Sequence, residues 1–351
     1  MKVRLYTGSL KLVEKSGVGQ ALYHQKAMLD SVQMENTYEN DRDVVLIHIN
    51  TIFPDSLFMA LLARLRRQKV IYYARSTKED FCNSFRLSNA VAPLFKKWIK
   101  VCYETGTVII TPTEYSKKLL LSYGIRKPIS VLSNGIDTDF FAFRKQYRDA
   151  FRKKYQLGDN DKAVLSVGHY IARKGILDFI NLARSMPETR FFWFGYTNLN
   201  LVPLEICNAI KNAPANLLFP GYVGREELRD AYCGCDLFCF MSYEETEGIV
   251  VLEALACGVP VLLRDIPVYE GWLRDGETVY KSGDIDSFYQ KTCEILNGDA
   301  ADLTQAGRQI AEDLSIQKTG EKLLHIYDEI AGADMEKRTN HNLKQQSESV
   351  I

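Results

Sequence analysis

Short apolar runs recur along the chain with amphipathic stretches between them. In the first half the runs are 2–6 (KVRLY), 43–49 (DVVLIHI), 69–73 (KVIYY), 107–111 (TVIIT) and 129–132 (ISVL). Each is rich in Val and Ile and lacks strict apolar–polar alternation, the pattern of strands buried on both faces of a parallel sheet. Stretches 18–31, 55–68, 91–104 and 114–123 carry helical spacing and fit between them. The pattern restarts after residue 160. AVLSVG (163–168), RFFWFG (190–195), NLLF (216–219), DLFCF (236–240) and PVLL (260–263) read as strands, with helices over 175–186, 225–233, 250–257, 284–297 and 300–313. Strand alternating with helix predicts two doubly wound α/β domains, 1–150 and 160–315, joined around 137–160. Their strand carboxyl ends, facing each other, would form a ligand cleft. A helix is expected over 316–331, returning toward the first domain, then a polar tail (333–351) of disordered composition.

Composition narrows the class. With 351 residues, 46% of them hydrophobic and 25% charged, the chain suits two ordinary cores and excludes collagen-like or wholly disordered architectures. No apolar run reaches the length of a membrane span, and the first residues lack the apolar core of a secretory signal. A cytoplasmic location is expected. The eight cysteines form no C-x-x-C pair, so they read as reduced, structural residues, and no metal site is expected.

The zero net charge hides an asymmetry: residues 1–155 carry 26 Lys and Arg against 14 Asp and Glu, and the remainder carries the compensating acid. A basic half suggests an anionic surface, nucleic acid or lipid, unless the two halves simply attract each other.

The richest string is Ser242 to Val261, SYEETEGIVVLEALACGVPV. A strand end, an acidic glycine turn and a helix start make an anion site, with the N–H groups of Gly248, Ile249 and Val250 facing a phosphate. Glu253, about a turn further on, would take vicinal hydroxyls such as a ribose presents. Glu245, in the loop, would hold sugar hydroxyls or stabilise developing positive charge. Ordinary first-turn acids would give the same local pattern.

The whole string decides between them, because it resembles the E-x7-E signature of retaining glycosyltransferases of family 4, which have the GT-B fold: two doubly wound Rossmann-like domains facing a central cleft. Three further matches follow the family's order: SNGID (133–137), SVGHYIARKG (166–175) and the run from Gly221 to Glu245. The resemblance covers roughly residues 1–330 and extends to the diglycosyl-diacylglycerol synthases of Gram-positive bacteria. It implies a metal-independent hexosyltransferase with no cofactor. Its donor would be a UDP-sugar, with galactose favoured over glucose, and its acceptor a glucosyl-diacylglycerol. A capsule or wall-polysaccharide transferase and a non-catalytic accessory protein are the alternatives; nucleic acid is not an expected partner.

Residue by residue, the resemblance implies Glu245 and Lys174 as catalytic groups. Gly17, His169, Arg173, Tyr222, Val223, Gly248, Ile249, Val250 and Glu253 join them at the donor. Gly17 belongs to a glycine-rich first loop with Lys15, Ser16 and Gly19. His169 stands where the family has arginine. Around Ile71 to Phe85 the family often has a histidine, where this chain has Tyr73 and Arg75. His48, Asn50, Arg75 and Ser76 are the expected acceptor contacts. Asp137-x-Asp139 has metal-pair spacing but falls in the N-G-I-D segment between domains.

Three basic, aromatic stretches suggest a membrane face on the inner leaflet, holding the protein peripherally. One has Lys96, Lys97, Trp98 and Lys100. Another has Arg144, Lys145, Arg148, Arg152, Lys153 and Lys154 around aromatics at four-residue spacing. The third, Leu57 to Leu65, ends in Arg64, Arg66, Arg67 and Lys69. In any single helix the aromatic face would equally serve as core.

Overall fold

The computed structural model describes residues 2–9, 17–41, 43–84 and 88–330. Lys15, Ser16 and the tail from 333 lie outside the described residues.

The first half contains β1 (Lys2–Tyr6), α1 (Gly17–Ser31), β2 (Asn36–Thr37), β3 (Val44–Ile49), α2 (Pro54–Leu65), β4 (Lys69–Tyr73), α3 (Lys78–Phe81), α4 (Ser88–Glu104), β5 (Val108–Thr111), α5 (Glu114–Ser122) and β6 (Ile129–Val131). Then come α6 (Lys145–Lys154), β7 (Ala163–Val167), α7 (Ile176–Ser185), β8 (Arg190–Phe194), α8 (Leu204–Lys211), β9 (Leu217–Gly221), α9 (Arg225–Gly234) and β10 (Leu237–Phe240). They are followed by α10 (Ile249–Ala256), β11 (Val261–Arg264), β12 (Tyr280–Ser282), α11 (Ile285–Asn297), α12 (Thr304–Asp313) and a helix over 316–330. The strands form two six-stranded parallel sheets, ordered β2-β1-β3-β4-β5-β6 and β12-β11-β10-β7-β8-β9.

The unbroken apolar runs have a simple cause. Each sheet carries a core on both faces. In β8, Phe192 and Phe194 enter one core while Phe191 and Trp193 enter the other. In β10, Phe238 and Phe240 are set against Leu237 and Cys239 in the same way. Both positions of the two-residue period are therefore apolar. Strand order reverses between β7 and β10 in the second sheet. A crevice opens at such a switch point, beyond the strand carboxyl ends.

The last helix crosses back to the first half. Leu323, Tyr327 and Ile330 join the core of Val3, Leu5 and Ile71. The crossing is tied to the outward one: the Ile136 N–H donates to the Leu314 carbonyl at 3.0 Å, and the Ile316 N–H to the Ile136 carbonyl at 2.9 Å.

Helix α6 corrects the membrane reading. Phe151 is buried in the second half's core, with Tyr147 and Tyr155 packed against it. The helix lies on α9 so closely that a Cβ on Gly234 would sit 2.3 Å from Phe151. Arg148 and Arg152 pair with Asp236 at 3.1 and 3.5 Å, and Lys154 pairs with Glu227 at 2.5 Å. Arg152 is buried and also donates to the Asp161 carbonyl at 2.8 Å. The four-residue aromatic spacing is therefore a packing face. Arg148 and Arg152 neutralise an acid of their own domain and leave the surface set. Arg144 lies over the Tyr147 ring, Lys145 pairs with Asp149, and Lys153 is exposed, all on this second-half helix.

On the first half, Trp98 turns inward, donating its indole N–H to the Ile52 carbonyl at 2.6 Å, and Lys96 lies over the Tyr123 ring. Lys97 and Lys100 stay exposed. Among the apolar side chains that face outward on this half are Phe58, Leu61 and Leu65 on α2 and Val91, Leu94 and Val101 on α4. No helix among the described residues is long and apolar enough to cross a membrane.

Candidate active site

A cleft of about 800 Å³ runs between the two sheets. Its walls include His169, Arg173, Lys174, Tyr222, Val223, Glu245, Gly248, Ile249, Val250 and Glu253 from the second half, and Arg75 from the first.

The loop after β7 makes a single 3-10 turn over Ala172–Lys174 and ends on Gly175 at φ 75°. This brings Lys174 against the loop after β10, where its Nζ lies 2.5 Å from Glu245 Oε1. Ser242 Oγ donates to the same oxygen at 2.6 Å. Burial would raise the Glu245 carboxyl, but Lys174 and Arg173 hold it below its ordinary range. The result is a buried anion beside a partly buried cation at the sheet's switch point.

Gly248, at φ 90°, opens α10 and leaves the Ile249 and Val250 side of the helix start facing the cleft. Glu253 follows on the same helix, buried, and accepts from Tyr232 Oη at 2.9 Å. Burial raises its carboxyl to about 7, against the opposing pull of Tyr232 and Arg225. His169 donates from Nδ1 to the Tyr196 carbonyl at 3.0 Å. Burial lowers its basicity first, and the nearby Lys174 and Arg173 charges add to this, so the ring is neutral where an arginine was the family pattern. Gly17 starts α1.

Of the four expected acceptor contacts, only Arg75 reaches the cleft. His48 and Asn50 are buried behind it, hydrogen-bonded to other side chains, and Ser76 exchanges backbone hydrogen bonds with Tyr103 Oη. The reading of His48 and Asn50 as direct contacts is thereby corrected, since their side chains at the end of β3 turn into the core, and Ser76, half-buried after β4, is not among the residues that line the cleft. Asp137 Oδ1 caps a turn by accepting from the Phe140 N–H at 2.9 Å. Among the described residues, no three His, Cys, Asp or Glu side chains converge as a metal set.

Contacts between the halves were invisible in the sequence. Arg173 reaches Asp80 at 2.9 Å and Ser84 at 3.3 Å. Thr113 and Ser116 donate to the Thr246 carbonyl at 2.9 and 3.0 Å, and Tyr115 donates to Glu244 at 3.0 Å. Glu247, one residue before Gly248, takes the Asn134 N–H at 3.1 Å. These fix the E-T-E-G loop against the first half. Gln20, Asn134 and Arg225 also line the cleft; Asn134 lies in SNGID and Arg225 in the run from Gly221 to Glu245, but neither was singled out there as a contact, and no short motif marks Gln20.

Residues 147–310 match the glycosyl transferases group 1 family and residues 31–140 match Glycosyltransferase Family 4. A processive diacylglycerol α-glucosyltransferase of Acholeplasma laidlawii is 41% identical over 332 residues, spanning 94% of this chain and 98% of that protein. The chain belongs to glycosyltransferase family 4. An α-galactosylglucosyldiacylglycerol synthase of Streptococcus pneumoniae is 27% identical over 64% of this chain and 61% of its own length. The UDP-glucose complex of Anabaena HepE has a TM-score of 0.74 at 15% identity, covering 94% of this chain and all of that one. A sucrose-phosphate synthase of Thermosynechococcus elongatus has a TM-score of 0.71 at 18% identity, covering 83% and 74%. With its two facing parallel sheets, this family 4 chain has the GT-B fold.

Proposed function

We propose that the protein transfers a hexose from a UDP-sugar to a diacylglycerol-based glycolipid, with retention at the anomeric carbon. The observation that carries this is the Lys174–Glu245 pair at the cleft, in a chain whose match to a diacylglycerol glucosyltransferase spans 94% of its length. Glucose replaces galactose as the favoured sugar, since that relative is named a glucosyltransferase.

In this reading Lys174, Arg173 and the start of α10 receive the diphosphate, and Glu253 receives the ribose hydroxyls. Glu245 stabilises the positive charge that develops on the sugar as the diphosphate leaves. The acceptor hydroxyl attacks the same face, and the departing β-phosphate oxygen takes its proton. The protein supplies positioning and charge, with no metal or cofactor of its own. Docking is peripheral, through Phe58, Leu61, Leu65 and Leu94 with the exposed Arg64, Arg66, Arg67 and Lys97 around them.

Turnover with anionic liposomes containing monoglucosyl-diacylglycerol tests this, with UDP-glucose and UDP-galactose offered separately. A diglycosyl lipid is expected, faster with UDP-glucose and unaffected by a chelator. The double variant Phe58→Ser/Leu65→Ser is expected to lower liposome binding by about tenfold or more, and binding falls further with salt. Release of sugar only to soluble acceptors would overturn the glycolipid reading.

The Glu253 carboxyl, raised to about 7, gives a pH signature. Its ionised form accepts the ribose hydroxyls, and it passes from about 90% ionised at pH 8 to about 10% at pH 6. The KM for the donor is expected to rise about fivefold to tenfold over that fall in pH. Glu253→Gln flattens the profile at the high value, whereas Glu244→Gln, a carboxyl also raised by burial, keeps the slope.

A further inference from the structure

Behind the cleft wall, five side chains form one continuous hydrogen-bonded chain. Arg75 Nε donates to Asn50 Oδ1 at 3.2 Å, and Asn50 Nδ2 donates to Gln25 Oε1 at 2.7 Å. Gln25 Nε2 meets His48 Nδ1, and His48 Nε2 lies 2.7 Å from Tyr327 Oη. All five residues are buried.

The chain has only one polarity. A guanidinium is a donor and nothing else. Asn50 must therefore present oxygen to Arg75 and nitrogen to Gln25. Gln25 in turn presents oxygen to Asn50 and nitrogen to His48. His48 Nδ1 is then an acceptor, its proton is on Nε2, and Tyr327 Oη accepts it. Burial, with the Arg75 charge second, lowers the His48 ring to about 3, so the neutral form is the one present. Every orientation is set by the residue at one end and closed by the residue at the other.

The first end is exceptional. Arg75 lines the cleft, its Cζ lies 3.9 Å from the Tyr73 ring centroid, and its Nη2 donates to the Ala21 carbonyl at 3.3 Å. Its Nη1 is buried and has no partner. An unpaired guanidinium N–H is costly unless something takes it. The other end is on the last helix, which reaches this core from the far side of the interdomain crossing.

We propose that Tyr327 is a positioning residue for Arg75: through His48, Gln25 and Asn50 it fixes the guanidinium that offers Nη1 to an oxygen of the ligand in the cleft. The ligand is an oxygen-rich one, a sugar hydroxyl or a phosphate. The assignment rests on the glycosyl-transfer reading above for its kinetic consequence only.

Two variants cut the chain without opening a cavity, Tyr327→Phe and Gln25→Met. In protein labelled with ¹⁵N at arginine Nε, the Arg75 signal is identified by its loss in Arg75→Lys. Its N–H is expected to exchange with water about tenfold faster in both variants than in the native protein. With UDP-hexose and the glycolipid, kcat is expected to fall about tenfold while the KM for UDP-sugar stays within about twofold. Combining either variant with Arg75→Met should cause no loss beyond that of Arg75→Met alone. Unchanged Arg75 exchange in both variants, or losses that multiply with Arg75→Met, would overturn the proposal. If the native protein shows no turnover with any UDP-hexose, the glycosyl-transfer reading falls, and the exchange rates still decide the coupling.

Discussion

Lys174→Met is expected to lower kcat about a thousandfold, or ~4 kcal/mol of barrier. The side chain sits in the cleft with its Nζ 2.5 Å from Glu245, and in the proposed reaction it supplies positive charge where the diphosphate leaves. Stability falls as well. Glu245 is buried, and without Lys174 its carboxylate keeps only Ser242 and the more distant Arg173, 3.9 Å away, for support. Breaking a buried ion pair from one side costs about 3 kcal/mol. The double variant Lys174→Met/Glu245→Gln separates the two effects. Removing both charges restores most of the melting temperature, but activity stays low. Thermal unfolding and single-turnover kinetics on the same preparations check this. Recovery of activity with stability would remove Lys174 from the chemistry.

Gly175→Ala is expected to cause the largest loss of stability, about 4 kcal/mol, a fall of roughly 10 °C in melting temperature. Two causes add. The residue is at φ 75°, and an added Cβ would sit 2.2 Å from the Met241 carbonyl oxygen. That carbonyl is backbone at the end of β10, so it cannot swing aside as a long side chain would. Gly258→Ala isolates the first cause: φ is 67°, but nothing lies within 4 Å of the added carbon. Its expected cost is about 1 kcal/mol. Equal losses in the two variants would show that the close approach of the Lys174 turn to β10 contributes nothing.

The parallel sheets were legible because burial on both faces removes the polar half of the strand alternation, leaving runs such as RFFWF and LFCF. The short edge strand β2, of two residues, and α8 left too little pattern to read. The placement of Glu245, Gly248 and Glu253 on the cleft was legible because they sit on one contiguous strand–loop–helix. The first half's contribution to the cleft was not. His48 and Asn50 end a strand that faces the crevice in outline, yet their side chains turn into the core, and nothing local in HINTIFPDS distinguishes the two directions. Helix α6 misled for a related reason: four-residue aromatic spacing reports a face, and only Asp236, 84 residues from Arg152, reveals what covers it. Pairs such as Thr113 with Thr246 carry no local trace at all.

The return of the last helix also sets a schedule for biosynthesis. The core beneath β1, β3 and β4 includes Leu323, Tyr327 and Ile330, so the first sheet, although made first, lacks one wall until almost the whole chain has left the ribosome. The second sheet draws its strands from 163 to 282 and is locally complete earlier. During synthesis the amino-terminal half is therefore an unfinished core, with the exposed apolar side chains of α2 and α4 on its surface, awaiting contacts of very high sequence separation.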